Sequence, residues 1–423
     1  MRVLWLCNIL LPSAAETLHL KASNKEGWLS GICDVVKSNH EFELGIAFPV
    51  PAEFDGRSFD KDGITYFGFY EDTVNPEVYD AAIEGKLQKI LDEFKPDMVH
   101  IFGTEYPHTL AMCKCMRHRA SKVMVGIQGV VAECAAHYLD GVPKRVVDRV
   151  TFRDFVRHDS LKKQKKKFEL RAVNEVEALK IAGNVTGRTP FDLNYTTNIN
   201  PETKYHFMNE TLRSEFYEGA WNIDECETHS IFLSQGNYPL KGLHTMLKAA
   251  GLLKSKYADL KIYVAGDKIT GHKTLKEKIK ISSYGKYLLE LIKKYGLEDI
   301  VEFTGNVTAG EMKERMLKAN VFVCPSSIEN SPNSLGEAML LGVPCIASNV
   351  GGISGIFKAD VDGLIFAGGD VKGLAEAVDK MFSNDALMIE CSEKASMHAH
   401  ITHNPDVNYK RLIEIYREIT GCE

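Results

Sequence analysis

What most constrains this chain is a rhythm in which short apolar runs of strand length alternate with longer segments of helical period, once through each half. In the first half the strand candidates are VLWLC (3–7), ELGIAFPV (43–50), MVHIFG (98–103), VMVGIQG (123–129) and KIAGNVTG (180–187), with EVYDAAIEGKLQKILDEF (77–94) a helix among them. In the second half they are SIFLSQG (230–236), LKIYVAG (260–266), IVEFTGN (300–306), VFVCPSS (321–327) and PCIASN (344–349), separated by helices such as 242–257 and 309–319. Alternation of this kind predicts βα units and parallel sheets. Two Rossmann-like α/β domains follow, and 423 residues suit two such cores better than one.

Periodicity fails after Thr189, where Asn, Thr and Pro accumulate up to Ser230, so the boundary belongs there. In doubly wound sheets ligands bind at the carboxyl ends of the strands, and two such domains would hold a ligand between them.

Composition narrows the function classes. A formal net charge of -6 gives no general attraction to nucleic acid or membrane. MRVLWLCNILLPS has one Arg before an apolar run broken by Cys7 and Asn8 and reads as a first strand, not a signal peptide. No run approaches the roughly eighteen apolar residues of a membrane span. The ten cysteines are scattered, as expected of reduced thiols in a cytoplasm, and Cys113 and Cys115 form a lone pair without metal-site spacing. One segment stands apart: residues 144–171 hold eleven Lys or Arg against four Asp or Glu. This is either a solvated helical face or, with Val147, Phe152 and Phe155, a surface for anionic lipid or an anionic acceptor.

The chemistry-bearing candidates fall in the second half. SSIENSPNSLGEAMLLGVPCIASNVGG (326–352) reads as a loop and then a helix opening with Ser334-Leu335-Gly336-Glu337, a fit to a capping box. The free N–H groups at Ser334, Leu335 and Gly336 would attract an anion such as a diphosphate. Glu329 lies on the loop before that helix, open either to solvent or to a ligand. In SQGNYPLKGLHTMLKAA (234–250), Lys241-Gly242 opens a helix after a strand, and a Lys there can neutralise a phosphate. FTGNV (303–307) ends a further strand in a Gly turn. Asp360 and Asp362 form a D-x-D before Gly363, late in the chain and in a turn, and no metal is assigned to them. No G-x-G-x-x-G follows the first strand, where LLPSAAE stands, which argues against an NAD-dependent oxidoreductase.

Taken together, the strand with Lys241-Gly242, the FTGN turn, PSSIENSPNSLGEAMLLGVP with its Gly351-Gly352 end, and DVDGLIFAGGD (360–370) resemble the carboxyl-terminal half of retaining glycosyltransferases of family 4. The likeness covers about residues 230–382 and is nearest the branch that builds bacterial surface polysaccharides. KPDMVHIFGTEYPH (95–108) and VMVGIQG are similar, more loosely, to the family's amino-terminal half.

That resemblance implies the GT-B fold. Residues 1–197 with 406–423 would form an acceptor domain, 198–405 a donor domain, and the last helix, PDVNYKRLIEIYREIT (405–420), would cross back to the first. It also implies transfer of a sugar from a nucleotide-diphosphate sugar, without a metal or other cofactor, to a glycan or lipid-linked acceptor, in the cytoplasm or on the inner membrane face. Glu329 would contact the transferred sugar, Glu337 the ribose, and amides near Asn333, Ser334 and Leu335 the diphosphate. Lys241 would neutralise the leaving group, with Gln235 and Gly236 beside it and Gly305 and Asn306 beside the base. Acceptor candidates are Gly27, Glu105, His108 and Gln128.

The chain departs from the family in three places. Gln235 and Gly236 stand where Gly-Arg is usual, Gln128 replaces a His, and the first loop is reduced to Glu26-Gly27-Trp28. Other classes compatible with these residues are a non-catalytic sugar-nucleotide-binding protein and a GT-B epimerase or phosphorylase.

Overall fold

The structure is a computed structural model that describes residues 1–20, 27–39 and 41–422. The chain divides into two compact units, Met1–Ala132 with Lys167–Arg213 and His403–Glu423, and Glu133–Lys166 with Ser214–Thr402.

In the first unit an eight-stranded sheet contains β1 (Arg2–Leu6), β2 (Glu43–Val50), β3 (Ser58–Lys61), β4 (Ile64–Tyr70), β5 (Met98–Phe102), β6 (Val123–Gly126), β7 (Asn184–Gly187) and β8 (Lys204–Phe207). Their order is β3-β4-β2-β1-β5-β6-β7-β8. All neighbours are parallel apart from the hairpin β3–β4, which turns through Asp62-Gly63 with both residues at positive φ. The central strands are the apolar ones: Val3, Leu4, Trp5 and Leu6 are fully buried, as a strand covered by helices on both faces requires.

The last helix, Pro405–Thr420, returns to this unit and buries Tyr416 against β1 and β5. Trp5 Nε1 donates to the Tyr416 hydroxyl at 2.8 Å, and that hydroxyl lies 2.8 Å from His100 Nδ1, to which it donates in turn. Burial pushes the His100 imidazole down to about 3, so the ring is neutral and accepts. Tyr416→Phe is expected to cost about 1 to 3 kcal/mol by leaving the Trp5 N–H unpaired. A urea midpoint equal to the parent's would contradict this.

The second unit holds a six-stranded, wholly parallel sheet of β9 (Glu227–Leu233), β10 (Lys261–Val264), β11 (Val301–Phe303), β12 (Ala319–Cys324), β13 (Cys345–Asn349) and β14 (Gly363–Ala367). Its order is β11-β10-β9-β12-β13-β14.

Several boundaries differ from those expected. The helix placed at 77–94 begins only at Ala82, because Asp80 Oδ1 accepts the Ala82 N–H at 2.9 Å and holds the preceding residues in turns. The strand placed at 180–187 starts at Asn184, since the helix Leu161–Ile181 runs through Lys180. The first unit reaches Arg213 rather than 197 because β8 adds an edge strand to its sheet.

Residues 133–166, expected in the first domain, cluster with the second unit. Ser283 explains part of this: its N–H donates to Asp154 Oδ2 at 2.9 Å and its hydroxyl to the Val146 carbonyl at 2.7 Å. Arg145 and Arg149 both pair with Glu290, at 2.8 and 2.7 Å.

Candidate active site

In the second sheet the strand order reverses between the two central strands, β9 and β12. Loops leaving the carboxyl ends of such a pair frame the crevice in which doubly wound sheets bind ligands. Here those loops carry Lys241 and Glu329. Lys241 Nζ lies 2.6 Å from Glu329 Oε1, the same oxygen accepts from Ser326 Oγ at 2.7 Å, and the two charged side chains are 22% and 13% exposed.

Backbone contacts force the meeting. Gly242 sits at φ +67°, and a Cβ there would fall 1.7 Å from the Pro325 carbonyl oxygen, so only Gly lets the Lys241 turn dock on the loop after β12. The Ser327 N–H donates to the Leu240 carbonyl at 2.8 Å. From the far side, Gly352 N–H donates to the Glu329 carbonyl at 2.9 Å. Desolvation, the largest influence on Lys241, pulls its ammonium down. The charge of Glu329, with help from Tyr238 and the hydrogen bond, outweighs that and holds Lys241 above its ordinary 10.5.

The helix that follows, Asn333–Leu340, begins earlier than the expected Ser334 cap. Its N-cap is Pro332, and no side chain caps it. The capping box is therefore absent: Ser334 Oγ instead accepts from Ser234 Oγ at 3.0 Å, tying the helix start to the loop after β9. Glu337 is buried, 3% exposed, within the helix. Leu335 and Gly336, both expected to offer free amides, donate them to the Pro332 carbonyl at 3.0 and 3.4 Å.

The other expected donor residues lie on the loops after β9 and β11. Gly236 is packed so tightly that a Cβ would meet Leu243 Cδ2 at 2.6 Å and Val264 Cγ1 at 2.8 Å, while Gln235 beside it is half-buried. Gly305, at φ +78°, bonds through its carbonyl to the Gly266 N–H at 2.9 Å and has open space where a side chain would be. Asn306 Nδ2 donates to Asp267 Oδ1 at 3.1 Å. The D-x-D residues play another part: Asp362 is fully buried and accepts from the Lys358 N–H and from His398 Nδ1, both at 2.7 Å.

The Lys241 turn, the Glu329 loop and the start of the helix Asn333–Leu340 thus meet at the reversal point of a parallel sheet. The stretch holding them matches the family model described as Glycosyl transferases group 1, over residues 215–398. Those residues carry a glycosyl transferases group 1 domain.

Relatives agree. The chain is 28% identical over 183 residues to D-inositol 3-phosphate glycosyltransferase of Corynebacterium urealyticum, 43% of this chain and 41% of that one. It is 27% identical over 129 residues to the amylovoran biosynthesis glycosyltransferase AmsK of Erwinia amylovora, 29% of this chain and 32% of the other. Each match spans less than half of the relative. Among solved structures, Anabaena HepE in complex with UDP superposes with a TM-score of 0.67 at 13% identity, over 99% of this chain and 100% of that one. The fold is GT-B, two parallel-sheet α/β domains.

Outside the group 1 domain, the corresponding reversal in the first sheet lies between β1 and β5, and the loop after β5 carries Glu105. Burial pushes the Glu105 carboxyl above its ordinary 4.5, and Oε2 is a buried atom without a hydrogen-bond partner. The folded state therefore holds this proton more tightly than the unfolded one, and its stability falls as pH rises from 4.5 through the raised value. Glu105→Gln is expected to be the more stable protein at pH 7. The gain should vanish near pH 4 in paired urea titrations, and a difference independent of pH would contradict the assignment.

The remaining acceptor candidates are held by neighbours. His108 is buried, its Nδ1 lies 2.6 Å from Glu71 Oε2, and its N–H donates to Glu71 Oε1 at 2.9 Å. Gln128 Nε2 donates to Glu210 Oε1 at 2.8 Å, and Glu210 also pairs with the buried Arg188 at 3.0 Å. Gly27 opens the helix Gly27–Asn39, and Glu26 lies outside the described residues.

Sequence reasoning missed Glu175. Its buried carboxylate accepts from Thr104 Oγ1, Tyr195 Oη and the N–H groups of Val131 and Ala132, at 2.5 to 3.1 Å, which fixes the loops after β5 and β6. The available signal was its place on the helical face of the buried Ala178, Leu179 and Ala182.

In the basic segment, Arg145, Arg149, Arg153, Lys162 and Lys167 all pair with acids. Phe152 and Phe155 are 65% and 69% exposed. Among the described residues no helix is long and apolar enough to cross a membrane.

Proposed function

We propose that the chain is a retaining glycosyltransferase that moves a sugar from a nucleoside-diphosphate sugar to a glycan or lipid-linked acceptor in polysaccharide synthesis. The observation that carries this is the Lys241–Glu329 pair at the strand-order reversal, inside the stretch matched by the group 1 model. As the bond from sugar to diphosphate breaks, negative charge grows on the leaving group and positive charge on the ring. Fixed positive charge at the leaving group is the largest available source of stabilisation. Lys241 and the start of the helix Asn333–Leu340 supply it, so the proposed transfer needs no metal.

Glu329 neutralises Lys241 by pairing with it at 2.6 Å. An arriving diphosphate takes over the cation and frees Glu329 to bind hydroxyls of the transferred sugar. The acceptor hydroxyl attacks from the leaving-group face and gives its proton to the departing diphosphate, so configuration is kept without a covalent enzyme intermediate. Glu337 binds the ribose. A lipid-linked acceptor would place the protein at a membrane face, where the exposed Phe152 and Phe155 suit contact with lipid.

UDP-sugars are the first donors to test, because HepE was crystallised with UDP. Incubation with labelled UDP- and GDP-sugars should release nucleotide only when acceptor is present, and the product anomer should match the donor's by NMR. Binding without turnover would make the chain a sugar-nucleotide-binding protein, and an inverted anomer would end the retaining assignment.

A further inference from the structure

Next to the turn that carries Lys241 lies an open recess of about 560 Å3, built wholly from the second unit. Asn237 and Pro239 of that turn form one wall, and Arg153, Arg157, Lys268, Lys276 and Lys280 line the rest. Two carboxylates share the lining, and both are engaged. Asp267 accepts from Asn306 Nδ2 at 3.1 Å, and Glu277 accepts the N–H groups of Lys273 and Thr274 at 2.7 and 3.1 Å.

Arg153 pairs with Asp154 at 3.1 Å and Asp159 at 2.9 Å. Of the other four, Lys268 attracts the Glu277 carboxylate through space, and Arg157, Lys276 and Lys280 have no ion-pair or side-chain hydrogen-bond partner among the described residues. Five cations face two carboxylates in this lining, so the hollow keeps a positive excess that an anion would relieve. The volume lies within the range of about 300 to 1,000 Å3 typical of small-molecule sites. Arg and Lys together suit oxyanions that take both forked and point-charge contacts.

We infer that this recess binds a phosphate-bearing group, separate from the donor's diphosphate. Resting on the transferase proposal above, that group is a phosphate or diphosphate carried by the acceptor. Its source is either a soluble phosphorylated sugar or a lipid diphosphate at a membrane.

Calorimetry on the full chain with inorganic pyrophosphate as the probe tests the site without any turnover. The wild type should bind at two sites, and Lys241→Met should remove one of them. Arg157→Gln with Lys268→Gln should weaken the other about tenfold while leaving the thermal midpoint and UDP affinity unchanged. Lys276→Gln with Lys280→Gln provides a second pair with the same expectation. Unchanged pyrophosphate binding in both pairs overturns the site, and an equal loss of UDP affinity overturns its separateness from the donor.

The acceptor assignment has its own arms. With active enzyme, Arg157→Gln/Lys268→Gln should raise KM and leave kcat unchanged for either a soluble phosphosugar or a lipid diphosphate in vesicles, and whichever responds identifies the source. Equal KM for phosphorylated and dephosphorylated acceptors overturns that assignment, while the pyrophosphate result stands apart from it.

Discussion

Replacing Lys241 with Met is expected to lower turnover by about 10²- to 10³-fold, the loss typical when one fixed group that stabilises transition-state charge is removed. Met keeps the length and most of the volume of the side chain but cannot offset charge on a departing diphosphate. Ser326 Oγ continues to donate to Glu329 in the variant, so the remaining carboxylate is not left bare. Release of labelled nucleotide at saturating donor measures the effect. A rate equal to the parent's would remove Lys241 from the leaving group.

The two acids should respond in opposite ways. Glu329→Ala deletes the contact to the transferred sugar and is expected to reduce kcat strongly. It also frees Lys241 from its competitor at 2.6 Å, so affinity for a nucleoside diphosphate should hold or rise. Glu337 is buried, and Glu337→Gln keeps its shape while losing a charge-assisted hydrogen bond to ribose, worth about 1.5 to 3 kcal/mol. Its KM for donor should rise by roughly one to two orders of magnitude, with a smaller change in kcat. Breaking a partly buried ion pair also destabilises, so the Glu329 variant is best compared by the thermal shift that added nucleotide restores. If Glu329→Ala raises donor KM and Glu337→Gln lowers kcat, the two roles are exchanged.

The positions of Lys241 and Glu329 were readable because each follows a strand, where apolar runs stop and Gly, Ser and Asn begin. Lys241-Gly242 after β9 and Glu329 after β12 were both visible in that way. What sequence could not show is that the two loops touch, because 88 residues separate them and only the strand order β9-β12 makes them neighbours.

The Ser334–Glu337 spacing misled for a physical reason. Pro332 caps the helix two residues before Ser334, which places Ser334 inside the first turn instead of at its cap. The burial of His108, an acceptor candidate, could not be read locally, because its partner Glu71 is 37 residues away and buries with it. Glu175 was hidden among lysines and glutamates on a helix that reads as solvent-facing, although its spacing from Ala178, Leu179 and Ala182 put it on the buried side. The β3–β4 hairpin was also passed over, despite the Asp62-Gly63 pair that specifies its turn.

The central claim is that Lys241 and the helix start beside it hold the diphosphate of a nucleotide donor. Calorimetric titration of the wild type and Lys241→Met with a nucleoside diphosphate and with its parent nucleoside tests it most directly. The diphosphate is expected to bind the wild type far more tightly than the nucleoside, and this advantage should largely disappear in Lys241→Met. Equal affinity for the two ligands in the wild type, or an advantage that survives the substitution intact, would contradict it.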